Sequence, residues 1–452
     1  MAAALSTGTL PEKPASRLPV MFRALRHRNY RLFFCGQVIS LIGTWMQSIA
    51  QAWLVYRLTK SPLLLGFVGF SGQIPVLLFA PLGGLLADRY SRHRTVIATQ
   101  TASMLLALVL SALTLLEQIH VWEVMVLAGL LGVVNAFDIP ARQAFIVEMV
   151  VPEDLINAIA LNSAMFNGAR ILGPAVAGIT VAAIGEGWCF FANGVSYIAV
   201  IVGLLLMIVP QREHALRKAS GLESVLEGFR FTMHTGPIRA LLLLLGLVSV
   251  TGMPYAVLMP IFADKILQSD ARGLGLLMGA TGVGALAATL VVAARRDVHG
   301  LGRWVTYAST GFGASLILFS FSRSLPLSIA LLLPAGFSML IQMSSSNTLI
   351  QTMVPDELRG RVMSVYSMMF MGMAPFGALV AGGMAHRLGA PLTVALGGAV
   401  CIVGSQVFGM KWRTLRPEAR QLIIAQGMRS GEPVEEMNGQ VDALGNRNPP
   451  TA

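Results

Sequence analysis

The sequence has 452 residues, of which 55% are apolar and 12% are charged, and its formal net charge is +11. An ordinary soluble domain has about 25% charged residues, so this composition excludes a typical soluble enzyme. Apolar stretches long enough to cross ~30 Å of hydrocarbon as helices recur along the chain. Helices are the expected form, because backbone amides in lipid must be satisfied within their own segment.

Twelve such stretches predict an all-α integral membrane protein with twelve transmembrane helices. The predicted spans are 31–56, 62–87, 95–116, 121–147, 154–184, 187–209, 238–263, 273–294, 303–322, 325–351, 360–385 and 390–410. The predicted organisation is a cytoplasmic tail at 1–30, a six-helix bundle at 31–209, a cytoplasmic linker at 210–237, a second six-helix bundle at 238–410 and a cytoplasmic tail at 411–452. The last tail is polar, and we expect it to be disordered.

Basic residues are distributed unevenly between the two sides of the predicted spans. With both termini placed inside, the tails and inward loops carry 26 of the 33 Lys and Arg residues, the outward loops carry six, and Arg170 lies within a span. This bias follows the positive-inside rule. The positive charge therefore indicates a topology with both termini cytoplasmic, and it does not predict a nucleic-acid partner.

Polar side chains form one stripe along the first predicted span. At ~100° per residue they fall within one arc of about 100°, and they are Gln37, Ser40, Thr44, Gln47, Ser48 and Gln51. A polar face is unfavourable in lipid, so the stripe predicts either a water-filled cavity or a polar contact with another helix. The candidate substrate-contacting residues of this stripe are Gln37, Thr44, Ser48 and Gln51.

Asp138 and Arg170 are ionisable residues inside predicted spans four and five. A lone charge at mid-membrane costs at least ~2.5 kcal/mol, so Arg170 needs a partner. Asp138 lies about one helical turn nearer the cytoplasm, and Arg142 follows it on the same face of span four. Pro140 predicts a helix broken at Asp138, of the sort that lines transport sites. The alternative is a structural ion pair of Asp138 with Arg142 or with Arg170.

Two short segments, VPEDL at 151–155 and VPDEL at 354–358, lie six spans apart. After them, four positions match at an offset of 204 residues, namely Phe166, Gly168, Gly173 and Gly178 with Phe370, Gly372, Gly377 and Gly382. Proline followed by two acids is also a generic helix start. The glycine register and the six-span spacing nevertheless indicate a duplication, so we expect two pseudo-symmetric bundles of the kind that secondary transporters use.

The segment GGLLADRYSRHR at 83–94 resembles the signature loop of the major facilitator superfamily, in which a glycine, an aspartate and several bases follow at fixed spacing. Gly84, Asp88, Arg89 and Arg92 match that pattern, whereas Ser91 and His93 depart from it. NAFDIPARQAF at 135–145 and LRHRNYRLFFCGQ at 25–37 resemble the branch that contains the enterobactin exporter and the drug and macrolide efflux proteins. The resemblance extends from about residue 22 to residue 412.

The resemblance implies that Asp88 is a conformational latch, which meets the start of span eleven when the inner gate is shut. There the segment PDELRGR at 355–361 offers the free amides and positive dipole end of a helix, with Arg359 and Arg361 beside them. The alternative is that Asp88 and its neighbouring arginines form a solvated loop that sets orientation.

The stretch GARILGPAVAG at 168–178 resembles the Gly-Pro motif on span five of exporters in this superfamily. The resemblance implies close helix packing at Gly168, Gly173, Pro174 and Gly178. The arginine that the superfamily often carries on span four, linked to proton coupling, has no counterpart in VLAGLLGVVNA at 126–136.

No metal, nucleotide or cofactor site is predicted. The cysteines, Cys35, Cys189 and Cys401, fall in predicted spans without the spacing of a metal site. No lysine follows a glycine, so the chain has no phosphate-binding GxxxxGK[ST] loop. The histidines are scattered, and an enzyme is not expected.

We predict a monomeric exporter of a small amphipathic molecule, a siderophore or a drug, that works by proton antiport and alternating access. The resemblance implies a multi-pass protein of the bacterial inner membrane, whose partners are the substrate, protons and the lipid bilayer. Asp138 is the candidate titrating group, and Arg170 is the candidate charge beside the substrate. An importer or lysolipid flippase on the same fold and a non-transporting signalling protein are the alternatives, because a fold does not fix a function.

Overall fold

The computed structural model describes residues 20–209, 221–294 and 300–430. In these ranges the chain forms helices joined by short turns, and no strand is found there. The first half contains α1 (Arg28–Thr59), α2 (Pro62–Arg89), α3 (Arg92–Leu115), α4 (Val121–Met149), α5 (Leu155–Ile184) and α6 (Glu186–Leu205). The second half contains α7 (Gly221–His234), α8 (Gly236–Thr251), α9 (Tyr255–Ile261), α10 (Ala271–Ala293), α11 (Leu301–Phe321), α12 (Leu325–Met353), α13 (Asp356–Phe370), α14 (Ala374–Leu388) and α15 (Ala390–Ser430).

The predicted all-α membrane fold is confirmed. Eleven of the described segments are long and apolar enough to span a membrane, and α11 packs beside α12 and α15 as the twelfth crossing helix. The sequence of α11, LGRWVTYASTGFGASLILFSF, is interrupted by an arginine and by glycine, serine and threonine residues. These residues lower its hydropathy below that of the other spans.

Two spans are built from consecutive helices, where the sequence predicted one helix each. Span seven consists of α8 and α9, followed by a π-helical turn at Phe262–Ile266, and span eleven consists of α13 and α14. Pro254 directly precedes α9, and Pro375 lies in the first turn of α14. Proline has no backbone N–H and clashes with the preceding turn, so the helix restarts at both places.

Pro140 and Pro174 instead lie inside the continuous helices α4 and α5. The predicted break of span four at Asp138 is therefore wrong. Pro140 leaves the carbonyl oxygen of Ala136 without its helical donor. That oxygen faces Gly83 of α2, where a Cβ atom would collide with it. α2 therefore packs directly against α4 at the point where the hydrogen-bond ladder of α4 is interrupted.

The helices pack as two bundles with equivalent internal contacts. In the first half α1 packs on α5 and α6, α2 on α4, and α3 on α4 and α6. In the second half α10 packs on α12, α11 on α12 and α15, and α8 on α15. The turns after α5 and α14 are also equivalent, because Gly185 and Gly389 adopt φ values of +89° and +83°. Glycine adopts such angles without a Cβ clash.

The two faces of the bundle are named here by the chain ends. The terminal face is the side on which α1 begins and α15 leaves the bundle, and the far face is the other side. On the terminal face the 3-10 turn Val20–Arg26 docks beside α5, because Asp154 accepts hydrogen bonds from Arg26 at 2.7 Å and His27 at 2.8 Å. The rest of the predicted N-terminal tail, residues 1–19, lies outside the described residues.

Two segments predicted as tail and linker contain helix. α15 continues to Ser430, so the expectation of disorder is wrong for residues 411–430, and residues 431–452 lie outside the described residues. The predicted linker contains α7 and the start of α8, and its residues 210–220 lie outside the described ranges. α7 packs on α13 as the Val20–Arg26 turn packs on α5, so each half begins with a short helix against its fifth span.

Candidate functional site

The two halves meet near the far face through two equivalent glycine contacts. Gly178 of α5 faces Gly275 of α10, and Gly382 of α14 faces Gly66 of α2. A Cβ atom on Gly178 would lie 3.2 Å from Cα of Gly275, and one on Gly382 would lie 3.0 Å from Cα of Gly66. Since no side chain separates the helices, their backbones approach closely and seal this side of the molecule.

The residues of the predicted Gly-Pro motif have different surroundings. Gly173 faces Trp45 of α1, and a Cβ atom there would lie 3.1 Å from a backbone carbonyl oxygen of α1. Pro174 is buried, and its carbonyl oxygen points at Gly275. Gly168 has no atom within 4 Å of its Cβ position. The prediction of close packing is therefore wrong for Gly168 in this conformation, whereas Gly173 and Gly178 lie at helix contacts.

An ion pair also joins the halves at the far face. Lys60, directly after α1, donates from Nζ to Oδ2 of Asp264 at 2.9 Å, and its ammonium lies 4.6 Å from the centre of the Tyr56 ring. Towards the terminal face, α5 instead presents Gly168 with open space and Phe166 with 45% exposure. The described contacts between the halves thus define a conformation closed at the far face and open towards the terminal face.

Reversing the charge of Lys60 is expected to slow closure of the far face. Lys60→Asp places two carboxylates together, and aspartate tolerates the left-handed backbone of this position (φ +50°). Exposed ion pairs are worth about 0–1 kcal/mol, so we expect transport to fall about threefold. The exchanged pair Lys60→Asp/Asp264→Lys should restore the initial rate of transport in cells. A double variant slower than either single variant would contradict a closing role.

Arg170 lies on α5 where the two halves meet. Its backbone carbonyl oxygen is 3.3 Å from the Cβ position of Gly282 on α10, and its guanidinium is within electrostatic range of Tyr255 on α9. Among the described residues no carboxylate pairs with Arg170, because Asp138 pairs elsewhere. An unpaired cation at this depth is unfavourable. The position can therefore accept an anionic group from a ligand.

Asp138 is buried between α3 and α4 and has three hydrogen-bond donors. Its Oδ1 accepts from Oγ1 of Thr99 at 2.7 Å and from Nε2 of Gln100 at 2.9 Å, and its Oδ2 accepts from Nε of Arg142 at 3.0 Å. Of the predicted alternatives, the structure contains the Asp138–Arg142 pair. The predicted pairing of Asp138 with Arg170 is wrong.

The polar stripe of α1 is divided between helix contacts and accessible positions. Gln47 accepts a hydrogen bond from Nδ2 of Asn193 on α6 at 2.7 Å, and Thr44 lies 3.4 Å from the Tyr197 hydroxyl. Ser48 is exposed, and the remaining members are the buried Gln37 and Ser40 and the half-buried Gln51. Helix packing thus accounts for part of the stripe, and Ser48 and Gln51 remain available to a ligand.

The predicted latch segment ends α2 near the terminal face. Asp88 and Arg89 form its last residues, and their side chains lie outside the part of the structure that is described. Gly84 has no atom within 4 Å of its Cβ position. Arg92 donates to Oε1 of Glu148 at 3.0 Å, which links α3 to α4 within the first half. The latch stays a prediction for a conformation closed at the terminal face.

The predicted partners of the latch, Arg359 and Arg361, have other contacts in this conformation. Arg359 pairs with Asp356 one turn earlier on α13, and Arg361 pairs with Glu227 of α7. Both pairs lie within the second half. A latch between Asp88 and α13 would therefore form beside existing ion pairs when the terminal face closes.

Thr99 and Gln100 were missed by the sequence reasoning. They are neighbours on α3, and both donate to the same oxygen of Asp138. A signal was available, because three consecutive polar residues, Thr99, Gln100 and Thr101, interrupt the apolar run VIATQTASMLL at 96–106. The pairs Lys60–Asp264 and Arg361–Glu227 had no such signal, since each joins residues far apart in the chain.

Comparisons with known sequences are consistent with this geometry. A family model described as transmembrane secretion effector matches residues 20–441. The staphyloferrin A transporter of Staphylococcus aureus (strain NCTC 8325 / PS 47) is 27% identical over 84% of this chain and 95% of its own length. The multidrug efflux pump Tap of Mycolicibacterium fortuitum is 25% identical over 77% of this chain and 87% of its own. The enterobactin exporter EntS of Shigella boydii serotype 4 (strain Sb227) is 24% identical over 85% of this chain and 91% of its own length.

Solved structures share the fold at much lower identity. A bacterial homologue of the human lysosomal transporter Spinster, in an inward-facing and occupied conformation, superposes with a TM-score of 0.66 at 12% identity, covering 89% of this chain and 98% of its own. The nucleoside transporter NupG superposes with a TM-score of 0.65 at 13% identity, and the match covers 85% of this chain and 98% of the NupG chain. At such identities the likeness concerns the architecture alone.

Proposed function

The chain belongs to the transmembrane secretion effector family of the major facilitator superfamily, and we propose that it exports a small amphipathic molecule, a siderophore or a drug. Transport of small molecules, rather than enzyme catalysis, is common to the family and to the related proteins. The substrate class, the direction and the proton coupling are parts of the proposal. They are supported by the names of relatives that transport siderophores or drugs and by the groups at the interface between the halves.

The unpaired Arg170 is the single observation that carries the proposal. Arg170 lies on α5 where the two bundles meet, and its guanidinium is within electrostatic range of Tyr255 and has no carboxylate partner among the described residues. A substrate with an acidic group would supply the missing charge, and its apolar part would pack on the ring of Tyr255. We therefore propose that the transported molecule carries at least one carboxylate or similarly acidic group.

In this proposal the conformation that is closed at the far face is one of the two states of an alternating-access cycle. The substrate enters from the terminal face, which we propose to be cytoplasmic, and leaves when the glycine contacts separate. Asp138 and Arg142 are the proposed coupling pair, because a proton on Asp138 would remove the charge that holds Arg142. Release of Arg142 at the α3–α4 contact would then alter the packing of the first bundle.

Arg170→Gln is expected to lower export about tenfold, because it removes a charge-assisted contact worth about 1.5 kcal/mol. The measurement is retention of labelled iron chelators and fluorescent drugs, including macrolides, in efflux-deficient cells with and without a protonophore. Arg170→Lys keeps the charge and should retain part of the activity. Arg272→Gln is the matched control, because Arg272 is an exposed arginine on α10. Equal rates for Arg170→Gln and the parent would contradict the role of Arg170.

The direction in which the protein transports its substrate is tested separately, in membrane vesicles of known orientation. Accumulation in inside-out vesicles on imposing a proton gradient supports export by antiport. Accumulation only in right-side-out vesicles would assign an importer, and movement of a labelled lysolipid between leaflets would assign a flippase. A protein that moves none of these substrates in either orientation would contradict the transport proposal.

A further inference from the structure

A basic cavity of about 670 Å³ opens on the second half, between the start of α11 and the last part of α15. Four arginines line it, Arg303 from α11 and Arg413, Arg416 and Arg420 from α15. No acidic residue is among the described residues that line it. The cavity belongs to one bundle and lies outside the interface where the two bundles meet.

The arginines are held together by a fixed contact between α11 and α15. The Trp412 indole is 9% exposed and lies directly over Gly302, where a Cβ atom would collide with the ring. Trp412 also stacks on Phe408, with ring centres 5.3 Å apart. One turn before Phe408 on α15, Ser405 donates to the carbonyl oxygen of Thr306 at 2.7 Å. The cavity wall is therefore part of the packed bundle.

Three of these arginines are not neutralised by an ion pair among the described residues. Within the described chain, Arg303, Arg413 and Arg416 form no ion pair, and the charges of Arg303 and Arg420 repel that of Arg416. Glu418 is close in sequence but is engaged elsewhere, where it accepts a hydrogen bond from the backbone N–H of Gly236 at 3.2 Å. A bound anion would relieve the repulsion and accept charge-assisted hydrogen bonds.

We propose that this cavity binds the phosphodiester headgroup of an anionic phospholipid. About 20 residues of helix cross the ~30 Å hydrocarbon layer, so α15, which enters at Ala390, places Arg413 at the level of the headgroups. On the membrane side of the arginines, α15 exposes Met410, Val407 and Val403 at helical spacing, with exposures of 64%, 42% and 63%. Acyl chains would cover this stripe, whereas a soluble phosphate would leave it bare.

The proposal is tested on the full-length protein purified in detergent, by native mass spectrometry and by the shift of its thermal midpoint. The protein is titrated with phosphatidylglycerol or cardiolipin, with phosphatidylcholine and with inorganic phosphate. We expect saturable binding of the anionic lipids, and none of phosphatidylcholine. Since each basic residue near a membrane surface contributes about 1 kcal/mol, Arg413→Gln/Arg416→Gln should bind the anionic lipids about 30-fold more weakly.

Arg31→Gln/Arg94→Gln is the matched control, because both arginines are exposed on the terminal face of the first half. It removes the same charge and should bind the anionic lipids as the parent does. An equal loss of anionic-lipid binding in both double variants would show a general electrostatic attraction to the basic surface and would overturn the proposal. Undiminished lipid binding by Arg413→Gln/Arg416→Gln would also overturn it. Competition by inorganic phosphate at the same concentration would assign the cavity to a soluble anion. If the first double variant unfolds, Arg303→Gln/Arg420→Gln takes its place.

Discussion

Replacing Gly382 with leucine is expected to lower the rate of transport by about 100-fold while the protein remains folded. A Cβ atom at this position would lie 2.8 Å from the carbonyl oxygen of Pro62 and 3.0 Å from Cα of Gly66. Both atoms belong to the backbone of α2, so they cannot turn away as a flexible side chain can. Because α2 and α14 lie in different halves, the clash is relieved by separating the halves, and neither bundle has to unfold.

The expected effect is a shift of the conformational equilibrium away from closure of the far face. Overpacking of a well-packed contact costs about 1–3 kcal/mol, which corresponds to about 5- to 150-fold in an equilibrium constant. A transporter that cannot close one face cannot complete its cycle, so the initial rate of export should fall by about 100-fold. The Gly178→Leu variant should behave in the same way, since Gly178 makes the equivalent contact with α10.

Accessibility to a thiol reagent checks the cause of this loss. Gln51→Cys, in a background in which the exposed Cys35 is serine, is treated with a membrane-impermeant reagent from the far face. The reagent should label the Gly382→Leu variant faster than the parent. Gly383→Leu is the matched control, because the adjacent glycine has no atom within 4 Å of its Cβ position. Normal export by the Gly382→Leu variant, or equal labelling of both leucine variants, would contradict sealing by this contact.

The fold could be predicted from the sequence because it depends on properties that are local or periodic. Spans follow from the length of apolar stretches, and the duplication follows from a glycine register that recurs at one offset. The breaks in spans seven and eleven were not predicted, although Pro254 and Pro375 mark them. Pro140 and Pro174 remain within continuous helices. Whether a proline interrupts a helix depends on the neighbours that support the freed carbonyl group, and these are set by tertiary packing.

The candidate site was less predictable than the fold. Arg142 follows Asp138 at a spacing of four, so the sequence could offer this pair among its alternatives. Thr99 and Gln100 reach Asp138 from another helix, and their contact depends on how α3 is rotated about its axis. The polar stripe of α1 was equally hard to interpret, because the polarity of its residues did not reveal which of them would pack against α6.

Removing Asp138 should destabilise the protein strongly, because Arg142 then loses its carboxylate in a largely buried position. Asp138→Ala also leaves Nε2 of Gln100 without its acceptor, whereas the hydroxyl of Thr99 keeps the carbonyl oxygen of Val96 at 3.0 Å. Breaking a buried ion pair from one side costs about 3 kcal/mol, whereas removing both partners is often close to neutral. The double variant Asp138→Ala/Arg142→Met should therefore unfold at a higher temperature than Asp138→Ala alone.

The same double variant separates a coupling role from a purely structural one. If Asp138 carries the transported proton, the double variant should be folded, and its residual export should no longer respond to a protonophore. The matched control is Glu186→Ala/Arg57→Met, which removes a buried carboxylate and its partner at the α1–α6 contact. The side chain of Arg57 is about half exposed, so loss of this pair should destabilise the protein less than loss of Asp138 does. Export by this control should still respond to the protonophore. A folded Asp138→Ala/Arg142→Met variant that still exports in proportion to the proton gradient would show that Asp138 only ties α3 to α4.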